Sequence, residues 1–279
     1  MSGSNTSKLL FLYDHPKPEW WMDGLSAALD ILGEEFEIER WNMAEKDQHP
    51  GHFDFILGWG AFGSRVDRYL QEIRSLEQRA FDGNHQLMGL CVAGNATLPK
   101  GMNDYDVLFY ETKWYRTFIS HHPRIVHAFG VNTDLFSPPT IPMPVVWDYI
   151  GVGAFASWKR WERFIEKPGN KLVIGQYQVD NEAESLEIVR RLVKGGVMVS
   201  DHKNPFDLAN HLFMSRTLYM PSDIYGGGER AVWEAKASGL KVEVEDDNLK
   251  LKELVDTDVK DHHWYAQQLK KGILSCLSS

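Results

Sequence analysis

Short apolar runs alternate along the chain with longer stretches whose apolar positions recur at helical spacing. Lys8-Leu9-Leu10-Phe11-Leu12-Tyr13 opens the pattern, a turn through Asp14-His15-Pro16-Lys17-Pro18 follows, and residues 23–32 carry helical periodicity. Residues 36–41 alternate as a strand does, 53–57 form a buried run, and 65–79 read as a helix. Further runs at 86–92, 106–110 and 124–128 follow, with a short helix before the last. Strands that alternate with helices need crossover connections, which predicts a parallel, doubly wound sheet. Such a sheet binds ligands beyond the carboxyl ends of its strands, so the loops to watch are 14–24, 58–63 and 91–101. Trp20 and Trp21 stand in the first of these, where they either stack on a flat apolar face such as a sugar ring or staple the loop to the next helix.

Four prolines fall between Pro138 and Pro144 and read as a stiff linker. The same alternation then resumes. Strands are predicted at 149–153, 171–175, 197–200 and 218–220, with helices at 182–193 and 204–213, and the segment 262–277 closes the pattern as a helix. The chain is therefore expected to form two domains, 1–140 and 145–261, with 262–279 crossing back to pack on the first.

The last predicted strand runs into Pro221-Ser222-Asp223-Ile224-Tyr225-Gly226-Gly227-Gly228, and a helix-forming segment from Glu229 to Ala237 stops at Gly239. A strand, a bare-backbone turn and a helix start is a common α/β connection. It is also a place where first-turn N–H groups and the positive end of the helix dipole suit a phosphate, which glycines allow to approach closely. Arg230 in the first turn opposes the dipole and is expected to face an anion or an acidic partner. Glu229 and Glu234 lie five residues apart and point to different faces of the helix.

Pro221-Ser222 and Glu234-Ala235-Lys236-Ala237-Ser238-Gly239 resemble the donor-binding signature of retaining GT-B glycosyltransferases of the family-4, or group 1, type. Gly130-Val131-Asn132 followed by Phe136-Ser137-Pro138 is similar to the segment that closes the first domain there, with Asn132 replacing the usual aspartate. Lys159 matches the lysine that such enzymes place on the donor diphosphate, whereas Ala154 stands where an arginine is usual. The family's first glutamate falls on Gly226, and Glu229 is the nearest carboxylate. The resemblance is strongest from Gly130 to Gly239, and earlier residues match only in layout.

The resemblance implies two Rossmann-like domains facing a cleft and a nucleoside-diphosphate-sugar donor held mainly by the second. Glu234 would hold the ribose hydroxyls. The N–H groups of Gly228, Glu229 and Arg230, in a turn opened by Gly226 and Gly227, would cradle the sugar and β-phosphate. Lys159 and Arg230 would neutralise the leaving diphosphate in place of a metal, and Glu229 would act at the donor sugar. The expected activity is retaining, metal-independent glycosyl transfer with no cofactor and an unidentified acceptor. The alternative is a sugar-nucleotide-binding protein of the same shape that lacks transferase activity, which the missing arginine and displaced glutamate favour.

Composition narrows the partners. The 279 residues are 43% hydrophobic and 12% aromatic, enough for real cores, and a net charge of −9 without a Lys/Arg-dense run argues against a nucleic-acid backbone. Cys91 and Cys276 alone make no disulfide framework, and no apolar run reaches the ~18 residues that span a bilayer, so a cytoplasmic protein is expected. Asp104-Tyr105-Asp106 and Asp256-Thr257-Asp258 fit a metal-holding Asp-x-Asp pattern but are expected to face solvent. The pairs His121-His122 and His262-His263 lack zinc-like spacing, so no metal site is predicted. The chain contains no G-x-S-x-G and no P-loop.

Overall fold

The structure is a computed structural model that describes residues 6–15, 23–44, 52–80, 85–93 and 100–278, without the side chains of 77–80. Trp20 and Trp21, and most of the loop after Val92, lie outside the described residues. The chain divides into two compact units, one made of residues 1–130 and 260–279 and the other of 131–259.

The first unit holds six parallel strands: β1 (Lys8–Tyr13), β2 (Glu37–Asn42), β3 (Phe55–Gly60), β4 (Met88–Val92), β5 (Val107–Tyr110) and β6 (Ile125–His127). Their order is β2-β1-β3-β4-β5-β6. An all-parallel sheet must be covered on both faces, and alternate residues of each strand go to opposite sides. Leu9, Phe11, Phe55, Leu57, Val107 and Phe109 meet α1 (Gly24–Leu32) and the helix His262–Leu277. Leu10, Leu12, Ile56, Leu90 and Leu108 meet α2 (Arg65–Ala80) and α3 (Lys113–Ile119). The predicted 262–277 helix thus belongs to the first unit, where it packs beside α1 and against β5 and β6.

The second unit starts at Val131, ahead of the proline cluster at which the sequence pattern places the boundary. The reason is α4 (Thr133–Phe136), unmarked in the sequence pattern. Its Phe136 is buried, and the helix packs on α7 (Pro205–Phe213) and α8 (Glu229–Ala237) of the second unit. Five parallel strands follow: β7 (Trp147–Ala154), β8 (Lys171–Gln176), β9 (Met198–Asp201), β10 (Ser215–Met220) and β11 (Lys241–Val244), in the order β11-β10-β7-β8-β9. Phe155, Trp161, Phe164, Val173, Leu192 and Tyr219 form a core beside α5 (Glu162–Ile165) and α6 (Glu182–Lys194). α9 (Leu249–Asp256) comes after β11, and α10 is the His262–Leu277 helix already described. Strand order in this sheet reverses between β7 and β10, so the segments that leave these two strands flank the switch point where an α/β sheet takes its ligand.

Candidate functional site

Lys159 leaves β7 and the glycine turn leaves β10, so the topology alone brings them together at that switch point. Beyond β7 the chain makes a 3-10 turn over Ser157–Lys159. The Lys159 side chain then crosses the end of β7 at Gly153. A Cβ there would stand 2.9 Å from Lys159 Cε, and the glycine has φ +153. Lys159 is buried, and its ammonium donates to the Gly227 carbonyl with Met220 Sδ at 4.0 Å. Burial lowers its pKa to about 8, helped by the charge of Lys250 and opposed by those of Glu229 and Asp223.

The turn itself is tied at nearly every carbonyl. Arg160, in the left-handed region at φ 49, donates to Pro221 O at 2.7 Å and Ser222 O at 2.8 Å, and its guanidinium also pairs with Asp247. Asn248 Nδ2 donates to Ser222 O and Asp223 O, at 2.9 and 2.8 Å. The Gly227 carbonyl takes a second donor, Ser222 Oγ at 3.2 Å, and the Gly226 carbonyl accepts from Lys250 Nζ at 2.9 Å. Asp223 Oδ1 accepts the N–H groups of Tyr225 and Gly226. A turn held this way is preorganised and does not have to be ordered by a ligand.

α8 begins where this turn ends. Asp23, Asn181, Asn204, Asn248 and Asp261 cap α1, α6, α7, α9 and α10 with side-chain oxygens, whereas Gly228, the N-cap of α8, has no side chain to offer. One carboxylate oxygen of Glu229, Oε2, accepts the Gly228 N–H at 2.8 Å. Its other oxygen, Oε1, lies 2.6 Å from Nζ of Lys250, which is fully buried on α9. One turn later, the buried Glu234 has its Oε1 3.4 Å from Arg230 Nε. The acidic partner expected for Arg230 is thus on its own helix.

No family model and no curated protein sequence matches the chain. Solved structures do. Sucrose-phosphate synthase from Thermosynechococcus elongatus is similar at TM-score 0.62 and 11% identity, covering 98% of this chain and 90% of that one. HepE from Anabaena, solved in complex with UDP and glucose, gives 0.62 at 12% identity over 98% of this chain and 90% of its own. AviGT4, a glycosyltransferase involved in avilamycin A biosynthesis, gives 0.60 at 11% identity over 98% of both chains. The chain has the GT-B fold.

At Gly226, the position the family resemblance aligns with a glutamate, a Cβ would stand 3.0 Å from Trp158 Cδ1 and 3.2 Å from Trp158 O. Ala154 ends β7, and its carbonyl accepts from Trp161 Nε1 at 2.9 Å. Glu229 pairs with Lys250 and accepts the Gly228 N–H, so that N–H is engaged by the chain's own carboxylate. Lys159, Gly226, Gly227, Gly228 and Glu229 are brought together. Arg230, in the first turn of α8, pairs with Glu234 one turn on.

Sequence reasoning missed Lys250, Asn248, Arg160 and Gly153. Asn248 was detectable as an N-cap ahead of Leu249-Lys250-Leu251, but nothing in that pattern marks Lys250 as buried. Of the motifs set aside, Asp256 and Asp258 are exposed as expected. Asp106 is not. It pairs with Arg74 at 2.9 Å and accepts the Met88 N–H at 2.8 Å, which gives it a structural task in the first unit. Among the described residues, no group of three or more His, Cys, Asp or Glu side chains is placed to hold a metal ion.

Proposed function

We propose that the chain is a glycosyltransferase whose second unit binds a nucleoside-diphosphate sugar at the β7/β10 switch point. The observation that carries this reading is Lys159: a buried amine beside a rigid glycine turn and an uncapped helix start, at the position where an α/β sheet binds ligands. A diphosphate here would meet the Lys159 ammonium and the first-turn N–H groups of α8. The UDP and glucose of the HepE structure, on the same fold, support a uridine nucleotide as the first donor to try. Glu234, buried one turn into α8, is proposed to hold the ribose once Arg230 swings to the phosphates. Transfer is proposed to retain anomeric configuration and to need no metal, since the Lys159 ammonium supplies the charge that stabilises the leaving diphosphate.

A second reading is favoured by one observation. Glu229, the carboxylate nearest the position where the family resemblance expects a glutamate, is paired with Lys250, as fits a protein that binds a sugar nucleotide without transferring it. Calorimetry with UDP and UDP-glucose, followed by hydrolysis and transfer assays with and without EDTA, separates the readings. Binding with EDTA-resistant turnover supports the transferase. Binding without turnover on any acceptor supports the second reading, and failure to bind any nucleoside diphosphate removes both. Glu229→Gln decides the role of that residue: a fall in kcat at unchanged donor affinity places it at the sugar, whereas weakened affinity places it with the loop.

A further inference from the structure

Lys250 has no counterpart in any role considered so far. It is fully buried on α9, and it touches the Gly226 carbonyl at 2.9 Å and Glu229 Oε1 at 2.6 Å. An ammonium of this kind costs several kcal/mol to bury unless it is paired and hydrogen-bonded, so an apolar residue of similar volume would be the cheaper filler for a merely structural position. What the lysine does that a methionine could not is cancel and fix a carboxylate.

Glu229 pairs with Lys250 through Oε1, and its Oε2 lies 3.6 Å from where a Cβ of Gly227 would stand, on the glycine whose carbonyl Lys159 holds. The charged groups facing Lys159 are the carboxylates of Glu229 and Asp223 and the ammonium of Lys250, while Arg160, its chain neighbour, turns its guanidinium to Pro221, Ser222 and Asp247. Asp223 already accepts two backbone N–H groups. Glu229 is therefore the carboxylate able to compete with a ligand for Lys159, and Lys250 is what holds it elsewhere. We infer that Lys250 is a positioning residue of the anion site: by pairing with Glu229 it keeps that carboxylate off Lys159 and leaves the Lys159 ammonium for an incoming diphosphate. The part concerning the diphosphate rests on the donor-binding reading above; the part concerning Lys159 does not.

Without Lys250, the buried ammonium left on the same turn is that of Lys159, which holds the Gly227 carbonyl two residues before Glu229. The pair would form, Lys159 would hold its proton to higher pH, and its charge would be spent on the protein itself. The reverse change, Glu229→Gln, leaves two uncompensated ammonium groups around one loop and drives Lys159 the other way. Neutralising both positions restores the balance of the wild type.

The test is an NMR titration of Lys159 in the full chain with 13Cε-labelled lysine, assigned through Lys159→Arg, without any nucleotide. The midpoint, about 8 in the wild type, is expected to rise by a unit or more in Lys250→Met, to fall in Glu229→Gln, and to return towards the wild type in the double variant. UDP affinity measured alongside is expected to fall tenfold or more in Lys250→Met and to recover most of that loss in the double variant. An unchanged Lys159 midpoint in Lys250→Met overturns the inference. If that variant does not fold, an unchanged midpoint in Glu229→Gln overturns it equally. Should the wild type bind no UDP while the midpoints move as stated, the donor-binding reading fails and the role of Lys250 stands.

Discussion

Lys159 turns a position in the sequence into a measurable pH dependence. Burial lowers its pKa to about 8, and a bound diphosphate, as the opposite charge, raises it again. Affinity is then complete below pH 8, where the free protein already carries the ammonium, and above it falls by about tenfold per pH unit until the pKa of the complex is reached. Calorimetry with UDP from pH 7 to pH 10 should show this break, and a flat profile would mean that Lys159 does not meet the phosphates. Lys159→Met should cost about 1.5–3 kcal/mol of UDP affinity, the range for a hydrogen bond to a charged group, and should abolish the break. Gly153→Ala tests the path of the side chain. A Cβ at 2.9 Å from Lys159 Cε cannot be accommodated without moving the amine, so UDP affinity should fall although residue 153 touches no ligand. At this scale the sequence was only half legible. Lys159 and the glycines could be read because turn chemistry and a motif mark them, whereas Lys250 could not, since a lysine beside apolar residues on a short helix reads as a solvated charge until Glu229 is found beneath it.

Elements declared themselves according to how fully they are buried. β1, β4 and β5 are continuous apolar runs because parallel strands covered on both faces must be, and the sequence placed them closely. β11 was missed because Lys241-Val242-Glu243-Val244 is a half-exposed edge strand whose charges protect an open ladder. α4 and α9 were missed because one helical turn, or two, is too short for periodicity to register. α10 was legible, but its closeness to the sheet was not. Gly272 lies where α10 approaches β5, and a Cβ there would stand 2.4 Å from Phe109 Cε1. Gly272→Ala therefore sets two effects against each other. Helix propensity gains about 1 kcal/mol, while overpacking a filled core typically costs about 1–3 kcal/mol, and more when the ring cannot move. The net change should be destabilising in urea unfolding; stabilisation would show that Phe109 yields freely.

For the molecule as a whole, the parallel alternation made the fold class readable at identities of 11–12% to the structures it resembles. What pattern alone could not place is where one unit stops and the other starts, because Phe136 and its short helix take their partners from α7 and α8, distant in sequence. A saturating ligand tests the second unit in place. UDP at a hundred times its dissociation constant should stabilise the state that binds it by about 2.7 kcal/mol, visible as a shift in one unfolding transition. Truncation after Val259 tests the first unit. It removes Tyr265, Ala266, Leu269 and Ile273 from the face formed by Phe11, Leu29 and Phe109. The truncated chain should lose the transition of the first unit or leave the soluble fraction, and an unaltered melt would show that α10 is dispensable.

The return of α10 also sets an order of events on the ribosome. Residues 131–259 form one unbroken stretch, so the second unit can complete as it emerges, while the first waits for a helix not yet translated. At roughly 5–20 residues per second, the stretch from Val131 to Leu277 takes on the order of ten to thirty seconds to synthesise. Throughout that interval Val107 and Phe109 lack the cover of α10, and the nascent chain presents a sticky sheet face to chaperones and to its neighbours on the polysome. The half of the protein that is translated first is thus the half that finishes folding last.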